Sequence, residues 1–209
     1  MDKKIIRQRQ ALQIFQDTPE GTLVFVWGKT LLLSDGIRVA QRIECISDIL
    51  RVGRKFKIPF SLRSPTHVEV KVTRTRTVSA EFKGVQLVNF ARLLEKDVSV
   101  SLAIPKRSEH DDAEFLRWQK VVVHRCRKKV GTVYDFFGIL SFLIRPFWRK
   151  KNHHWSFAVF CSELSCKAWK LAGGVWGDAF TGFEPSKTSP EEMYLACLSN
   201  KNVVMLDIF

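Results

Sequence analysis

The sequence lacks the paired cysteines that mark zinc modules and small disulfide-bonded domains. It has five cysteines, an odd number, and none of them forms a C-x-x-C pair. Zinc sites and disulfide frameworks use closely spaced sets of thiols, so this wide spacing argues against both. Unpaired thiols are typical of a reducing compartment. We therefore expect no metal, no cofactor and no structural disulfide.

The sequence also lacks an apolar run long enough to cross a bilayer. The longest run, 136–144, is closed by Arg145 and Pro146, and it is shorter than the roughly 20 residues that a spanning helix needs. The basic start of the chain is followed by polar residues from Arg7 onward, not by the apolar core of a secretory signal. These absences predict a cytoplasmic protein without a transmembrane segment. A phage-encoded or virion-associated protein would also fit, because lysis or the particle would then deliver it.

The charge is strongly positive. The chain of 209 residues has 34 Lys and Arg against 21 Asp and Glu, a formal net charge of +13, and 45% of it is apolar. The apolar fraction is enough for a core, and we expect a single domain over 1–209. The charge indicates an anionic surface such as lipid or nucleic acid as a partner, or simply a basic surface. The basic segments 51–63 and 145–151 are the candidate anion-binding or substrate-gating loops, with plain solvated loops as the alternative.

The apolar spacing alternates between helical and strand periods along the chain. Helices are predicted at 3–17, 31–50, from Ser108 to about 129, at 161–172 and from Pro190 to about 198. Strands are predicted at 22–27, 66–72, 78–82, 85–88, 98–102 and 203–206. This order predicts an α+β fold, with a small antiparallel sheet packed against helices.

The strands 66–72 and 78–82 show the strictest alternation and predict a hairpin. If they pair about Arg74, Val70 faces Val78, and the two apolar sets lie on one face. The same register sets His67 opposite Glu81, where facing Cβ atoms are roughly 5 Å apart. A carboxylate there could orient the imidazole and stabilise its cationic form. An ordinary cross-strand ion pair is the alternative.

Cys161 stands where an apolar run ends and a helical pattern begins. The free N–H groups and the positive dipole end of a helix start favour a thiolate. An inert buried cysteine is also common at such a position. The remaining thiols are interpreted as structural: Cys45, Cys126, Cys166 and Cys197.

These elements, in this order, resemble the circularly permuted NlpC/P60 papain-like cysteine hydrolases, the group that includes the YiiX-type proteins. The matching segments are spread over nearly the whole chain: TLVFV at 22–26, THV at 66–68, KGV at 83–85 after Glu81, GTVYDF at 131–136, FCSEL at 160–164 and SPEE at 189–192. The resemblance implies a papain-like fold in which a small antiparallel sheet packs on the helix that carries the nucleophile. It implies Cys161 as nucleophile, His67 as base and Glu81 as the residue that orients the base.

The sequence departs from the family pattern at two positions near the site. Thr22 follows Gly21 where the family usually has Asp, and Glu69 stands where family members tend to have Gly. We expect the Glu69 side chain to crowd the cleft or to recognise a cationic group of the substrate. Tyr134 could contribute to the oxyanion site or bind substrate, with a packing role as the alternative. The backbone N–H of Cys161 is the better oxyanion donor, because it lies at a helix start.

The sequence as a whole predicts a thiol hydrolase that cleaves an amide bond, in a peptide or a cell-wall peptide, through a Cys-His-Glu triad and an acyl-enzyme. A lipid or ester acyl hydrolase or transferase of the same fold is the alternative within this class. A basic binding module without catalytic activity is the alternative outside it. In such a module the geometry between His67 and Cys161 would be broken.

Overall fold

The computed structural model describes residues 3–28, 65–81, 83–96, 98–107, 112–135 and 158–208. Several sequence predictions lie outside these residues. They are the helix at 31–50, the cap at Ser108, the apolar run at 136–144 and the basic segments 51–63 and 145–151.

The helices and strands follow the predicted order closely. The helices are α1 (Lys3–Asp17), α2 (Phe90–Leu94), α3 (Asp112–Lys128), α4 (Cys161–Ala172), α5 (Gly174–Gly177) and α6 (Pro190–Ser199), with 3-10 turns at Asp178–Phe180 and Pro185–Lys187. The strands are β1 (Leu23–Gly28), β2 (His67–Lys71), β3 (Arg76–Glu81), β4 (Gly84–Asn89), β5 (Val98–Pro105), β6 (Val133–Tyr134), β7 (Ala158–Val159) and β8 (Val203–Asp207).

Six of the strands form one antiparallel sheet in the order β4-β3-β2-β1-β5-β8, and β6 pairs with β7 in parallel. The predicted α+β class with an antiparallel sheet is therefore confirmed. None of the helices in the described part of the chain combines the length and the apolar character needed to span a bilayer.

The register of the β2–β3 hairpin is the predicted one. Val70 pairs with Val78, and Lys71 pairs with Thr77. On its other side β2 pairs with β1 as far as Val26 opposite His67. Because side chains alternate along a strand, His67, Glu69 and Lys71 share one face of the sheet, and the valines between them share the other.

Apolar side chains cover the sheet on both faces. On one face Val68 and Val70 join a cluster with α3, α4 and α6 that contains Trp118 and Trp169. On the other face β1 and β5 pack against α1 and α2. There the rings of Phe15 and Phe90 stack with their centroids 3.8 Å apart. Full burial of one such side chain contributes about 1.5–3 kcal/mol, so these contacts fix both layers on the sheet.

Local signals set the ends of the helices that follow the site. Gly173 ends α4 with a φ of 70°, a conformation that glycine adopts without strain. The Ser189 hydroxyl accepts the N–H of Glu192 at 3.2 Å, and the Glu192 carboxylate accepts the N–H of Ser189 at 2.7 Å. This capping box begins α6 as predicted.

A close backbone approach at Gly84 joins β4 to the segment before β6. Gly84 has a φ of +102°, and a Cβ there would lie 2.8 Å from the Thr132 carbonyl oxygen. The approach allows the Val85 N–H to bond to Thr132 O at 2.9 Å. Because β6 then pairs with β7, Tyr134 lies opposite Val159, close in sequence to Cys161.

Candidate active site

Cys161 is the first residue of α4 and is 5% exposed. Phe160 occupies the N-cap and provides no side-chain cap, and the first helical bond runs from Leu164 N to Phe160 O at 3.0 Å. The N–H groups of a first helical turn have no partner within the helix, so they can bind an anion. The Cys161 sulfur accepts hydrogen bonds from two backbone N–H groups, those of Ser162 and Val68.

His67, at the start of β2, is the side-chain partner of this thiol. The imidazole is hydrogen-bonded to the Cys161 sulfur. Its side chain is 22% exposed, so the imidazole side of the pair is partly open to solvent. The structure thus brings the predicted nucleophile and the predicted base into contact.

The two groups shift each other's pKa in opposite directions. Burial by itself would lower the pKa of His67, but the Cys161 thiolate and then Glu69 raise it well above its usual value. Burial by itself would raise the pKa of Cys161, but the charge and hydrogen bond of His67 lower it. These directions favour a thiolate–imidazolium pair, the reactive form of a cysteine nucleophile.

Glu69 and Ser79 hold the far side of the imidazole. His67 Nε2 lies 3.5 Å from Glu69 Oε1 and 2.8 Å from Ser79 Oγ. Glu69 also accepts the hydroxyl of Thr77 at 2.5 Å. Burial would raise the pKa of the Glu69 carboxyl, but the hydrogen bond and charge of His67 outweigh burial and lower it. An ionised Glu69 therefore stabilises the imidazolium.

The predicted direct bond from His67 to Glu81 is replaced by a bridge. Ser79 Oγ donates to Glu81 Oε1 at 3.4 Å while it contacts His67 Nε2. Glu81 does lie on the predicted face, but a hydroxyl stands between its carboxylate and the ring. The described β2–β3 pairs are those at Val70 and Lys71, so the described ladder does not extend to His67 and Glu81.

The prediction for Glu69 is corrected as well. Its side chain is 1% exposed and contacts the protein's own imidazole, so it is not presented to a substrate. Residues two apart on a strand share a face, and a glutamate is long enough to reach back along it. The His-x-Glu spacing at 67–69 was the signal in the sequence that could have found this contact.

Tyr134, on strand β6, is half-buried, lies near the thiol and packs against the core cluster. Its pKa is raised, first by burial and then by the negative charges of Cys161, Asp135 and Glu81. The hydroxyl therefore stays protonated and can donate a hydrogen bond. The structure is compatible with both predicted roles, packing and a site contact.

The other described cysteines lie in different surroundings. Burial raises the pKa of Cys126 to about 12 and that of Cys166 to about 11. The pKa of Cys197 is raised as well, first by burial and then by the charge of Cys166. Among the described free thiols, the pKa is lowered at Cys161. The structural role predicted for the others fits these directions.

His67, Glu69 and Glu81 are also the described group that could hold a metal ion, since one ligand atom of each lies within 4.8 Å of the others. An imidazole with two carboxylates is a suitable ligand set for zinc. However, Nε2 already contacts Glu69 and Ser79. We therefore interpret the cluster as a hydrogen-bond network around the imidazole.

No protein-family model and no curated protein matches the chain. The resemblance to permuted NlpC/P60 hydrolases therefore stays a prediction, carried by the sequence motifs and by the site of Cys161 and His67.

Proposed function

We propose that the protein is a cysteine hydrolase that cleaves an amide or ester bond through an acyl-enzyme, on a permuted papain-like fold of the NlpC/P60 type. The observation that carries the proposal is the hydrogen-bonded pair of Cys161 and His67, with the thiol pKa lowered and the imidazole pKa raised. A module that only binds would need neither the contact nor these shifts.

In the first half of the reaction, the Cys161 thiolate attacks the substrate carbonyl carbon and forms a tetrahedral intermediate. The backbone N–H of Cys161, at the start of α4, is the oxyanion donor. His67 then gives its proton to the leaving nitrogen or oxygen as the bond to the carbonyl carbon breaks. The leaving group departs as an amine or alcohol, and the acyl group stays on sulfur as a thioester.

In the second half, water loses a proton to His67 and its oxygen attacks the thioester carbonyl. Collapse of this intermediate breaks the carbon–sulfur bond, releases the acid and restores the thiolate–imidazolium pair. Glu69 and Ser79 contact Nε2, so the other ring nitrogen is left for the thiol. Glu81 acts on the ring through Ser79.

The expected substrate is a peptide, a cell-wall peptide or an acyl ester, and the Tyr134 hydroxyl is a candidate donor to its polar groups. The described cysteines are free, which suits a reducing compartment such as the cytoplasm. If the substrate is a cell-wall peptide, lysis or a phage particle would deliver the protein to it.

Differential alkylation tests the proposal. Native protein is treated with limiting iodoacetamide between pH 6 and 9, and each cysteine is quantified by peptide mass spectrometry. At pH 7 we expect Cys161 to react at least about tenfold faster than Cys166, because only thiolates react and the two pKa values are shifted in opposite directions. The advantage should grow as the pH falls, since the ordinary thiols lose their thiolate first.

Acylation by p-nitrophenyl acetate serves as a second probe, because a buried thiol can be slow to alkylate for lack of access. Intact mass should show one acetyl group on wild type and none on Cys161→Ser. If Cys161 alkylates no faster than Cys166 and no acetyl-enzyme forms, Cys161 is not an activated nucleophile and the proposal fails.

A further inference from the structure

The outer face of α3 carries a dense group of basic side chains. Its inner face packs into the core through Phe115, Trp118, Val122, Val123 and Cys126. The cationic face, as we call the outer one, consists of five exposed residues: Arg117, Lys120, His124, Arg125 and Lys128. The proposed chemistry at Cys161 uses none of them.

These side chains spread around the helix as well as along it. At ~100° and ~1.5 Å per residue, the cationic face and the adjacent Arg127 cover roughly 160° of the circumference and about 16 Å of length. Lys120, His124 and Lys128 form the crest, and shallow grooves run along both sides of it. The surface is therefore convex, with positive charge on the crest and on both flanks.

Few acids oppose this charge. Glu20 lines one of the two grooves, and Asp112, at the start of α3, is bound to Arg107 at 2.6 Å. Within the described part of the chain, Arg117, Lys120 and Lys128 form no ion pair. The flanking Arg127 donates to the Val72 carbonyl oxygen at 2.7 Å, which fixes the end of α3 against the sheet.

The shape of the cationic face favours one kind of polyanion. A flat anionic membrane would meet only the crest, and interfacial helices also bury an apolar face in the lipid. Here the apolar face of α3 packs into the core, and Leu116 is the large apolar side chain that α3 leaves exposed. A helix of about 10–12 Å diameter fits the major groove of a B-DNA duplex, about 12 Å wide, with a phosphate wall on each flank.

We propose that the cationic face of α3 binds double-stranded DNA, chiefly through its phosphates and with little dependence on sequence. Arg117, Lys120 and Lys128 would each reach a phosphate of the groove walls, and Arg125 would add a further contact on one flank. The proposal is independent of the proposed hydrolase activity, because these side chains lie on the side of α3 that faces away from α4.

Fluorescence anisotropy with a labelled random-sequence DNA duplex of about 20 base pairs tests this proposal. One variant combines Arg117→Gln, Lys120→Gln and Lys128→Gln. The matched control combines Arg92→Gln, Lys96→Gln and Lys167→Gln, which removes the same charge from exposed positions elsewhere. At roughly 100 mM salt we expect the first variant to bind at least about 30-fold more weakly and the control to stay within about threefold of wild type.

The salt dependence gives a second readout. Each lost phosphate contact reduces the slope of log affinity against log salt by about 0.9, so the first variant should lose about 2–3 units of slope. Circular dichroism and the alkylation rate of Cys161 should be the same in both variants, which keeps this test separate from the proposed function.

Three results would overturn the proposal. The first is equal weakening in both variants, which would mean that only net charge matters. The second is no duplex binding by wild type at low salt. The third is binding to phosphatidylserine vesicles through the same three cations without binding to the duplex, which would identify a membrane surface instead.

Discussion

The two ends of strand β2 both carry charged groups on the same face of the sheet, one partly buried and one fully buried, yet they have different kinds of partner. At one end, His67 contacts Cys161, Glu69 and Ser79. At the other end, Lys71 is 1% exposed and binds backbone carbonyls at the C-terminal end of α1. The comparison separates a reactive buried charge from a structural one.

Lys71 completes a helix end. Its Nζ donates to the carbonyl oxygens of Phe15 at 2.5 Å and Gln16 at 3.1 Å, and also to that of Thr18. The last carbonyls of a helix lack intrahelical partners and carry the negative end of the dipole, so a cation there is favourable. Burial lowers the pKa of Lys71 to about 8. The carbonyls that accept its hydrogen bonds cannot titrate, so this contact holds α1 on the sheet, while the charges of Glu20 and Asp17 partly oppose the lowering of its pKa.

His67 instead has partners that ionise. A thiol on one side and a carboxyl on the other both respond to its protonation, and their pKa values are lowered while its own is raised. Burial of a charge is therefore a weak sign of a functional site. The stronger sign is a buried charge whose partners are themselves acids or bases.

The largest expected effect comes from replacing the Cys161 thiol. Cys161→Ser should reduce p-nitrophenyl acetate hydrolysis by at least about 10³-fold, because the poorly acidic hydroxyl replaces a thiolate. The free energy of unfolding, measured in urea, should change little since the two side chains are nearly isosteric. A variant that retains the full rate would show that another group is the nucleophile.

Removing the Lys71 contact should instead lower the stability and leave the reactivity of Cys161 unchanged. Lys71→Ala should lower the free energy of unfolding by about 2–4 kcal/mol, because it leaves buried carbonyls of α1 without a donor and opens a cavity. The alkylation rate of Cys161 should stay within about twofold of wild type. If that rate instead collapses in the folded variant, the two ends of β2 are coupled and the distinction fails.

The pH dependence of stability provides a control for the prediction at Lys71. The folded pKa of Lys71 lies near 8 and its unfolded value near 10.5, so between these values the unfolded state binds more protons. Stability should therefore gain from Lys71 as the pH rises from about 8 to 10.5. Lys71→Met, which keeps the length of the side chain but cannot titrate, should lack that gain.

The smallest effects should rank the two carboxylates around His67. Glu69→Gln should slow p-nitrophenyl acetate hydrolysis by about 10–100-fold, because the buried imidazolium loses its contacting counter-charge. Glu81→Gln should cost only about two- to fivefold, since Ser79 stands between it and the ring. Equal effects, or a larger one at Glu81, would favour the triad of Cys161, His67 and Glu81.

The pH profile distinguishes these roles from general damage. Glu69 helps to raise the pKa of His67, so removing its charge should lower that pKa. Activity requires the imidazolium form of His67, which is present below its pKa. The upper pH limit of activity should therefore move down in Glu69→Gln. In Glu81→Gln it should move less. A Glu69→Gln enzyme that is slow but has an unshifted profile would indicate a packing role.

The sequence by itself determined the parts of this protein that follow from local physics. The alternation of Val70 and its neighbours set the register of the hairpin, because a slip by one residue would turn the apolar face outward. Ser189 and Gly173 set helix ends through caps that involve only neighbouring residues. The change from a strand pattern to a helical pattern placed Cys161 at the start of α4.

The tertiary structure decided which partners these residues meet. The pattern gave the face of Glu69 and Glu81, but not that Ser79 would stand between Glu81 and the ring while Glu69 reached it. Nor did it reveal that Lys71 would meet the end of α1, more than 50 residues away in the chain. Periodicity reports the side of an element on which a residue lies. The group packed against that side depends on how the layers come together, and here that packing assigned Glu69 to the imidazole and Lys71 to a helix end.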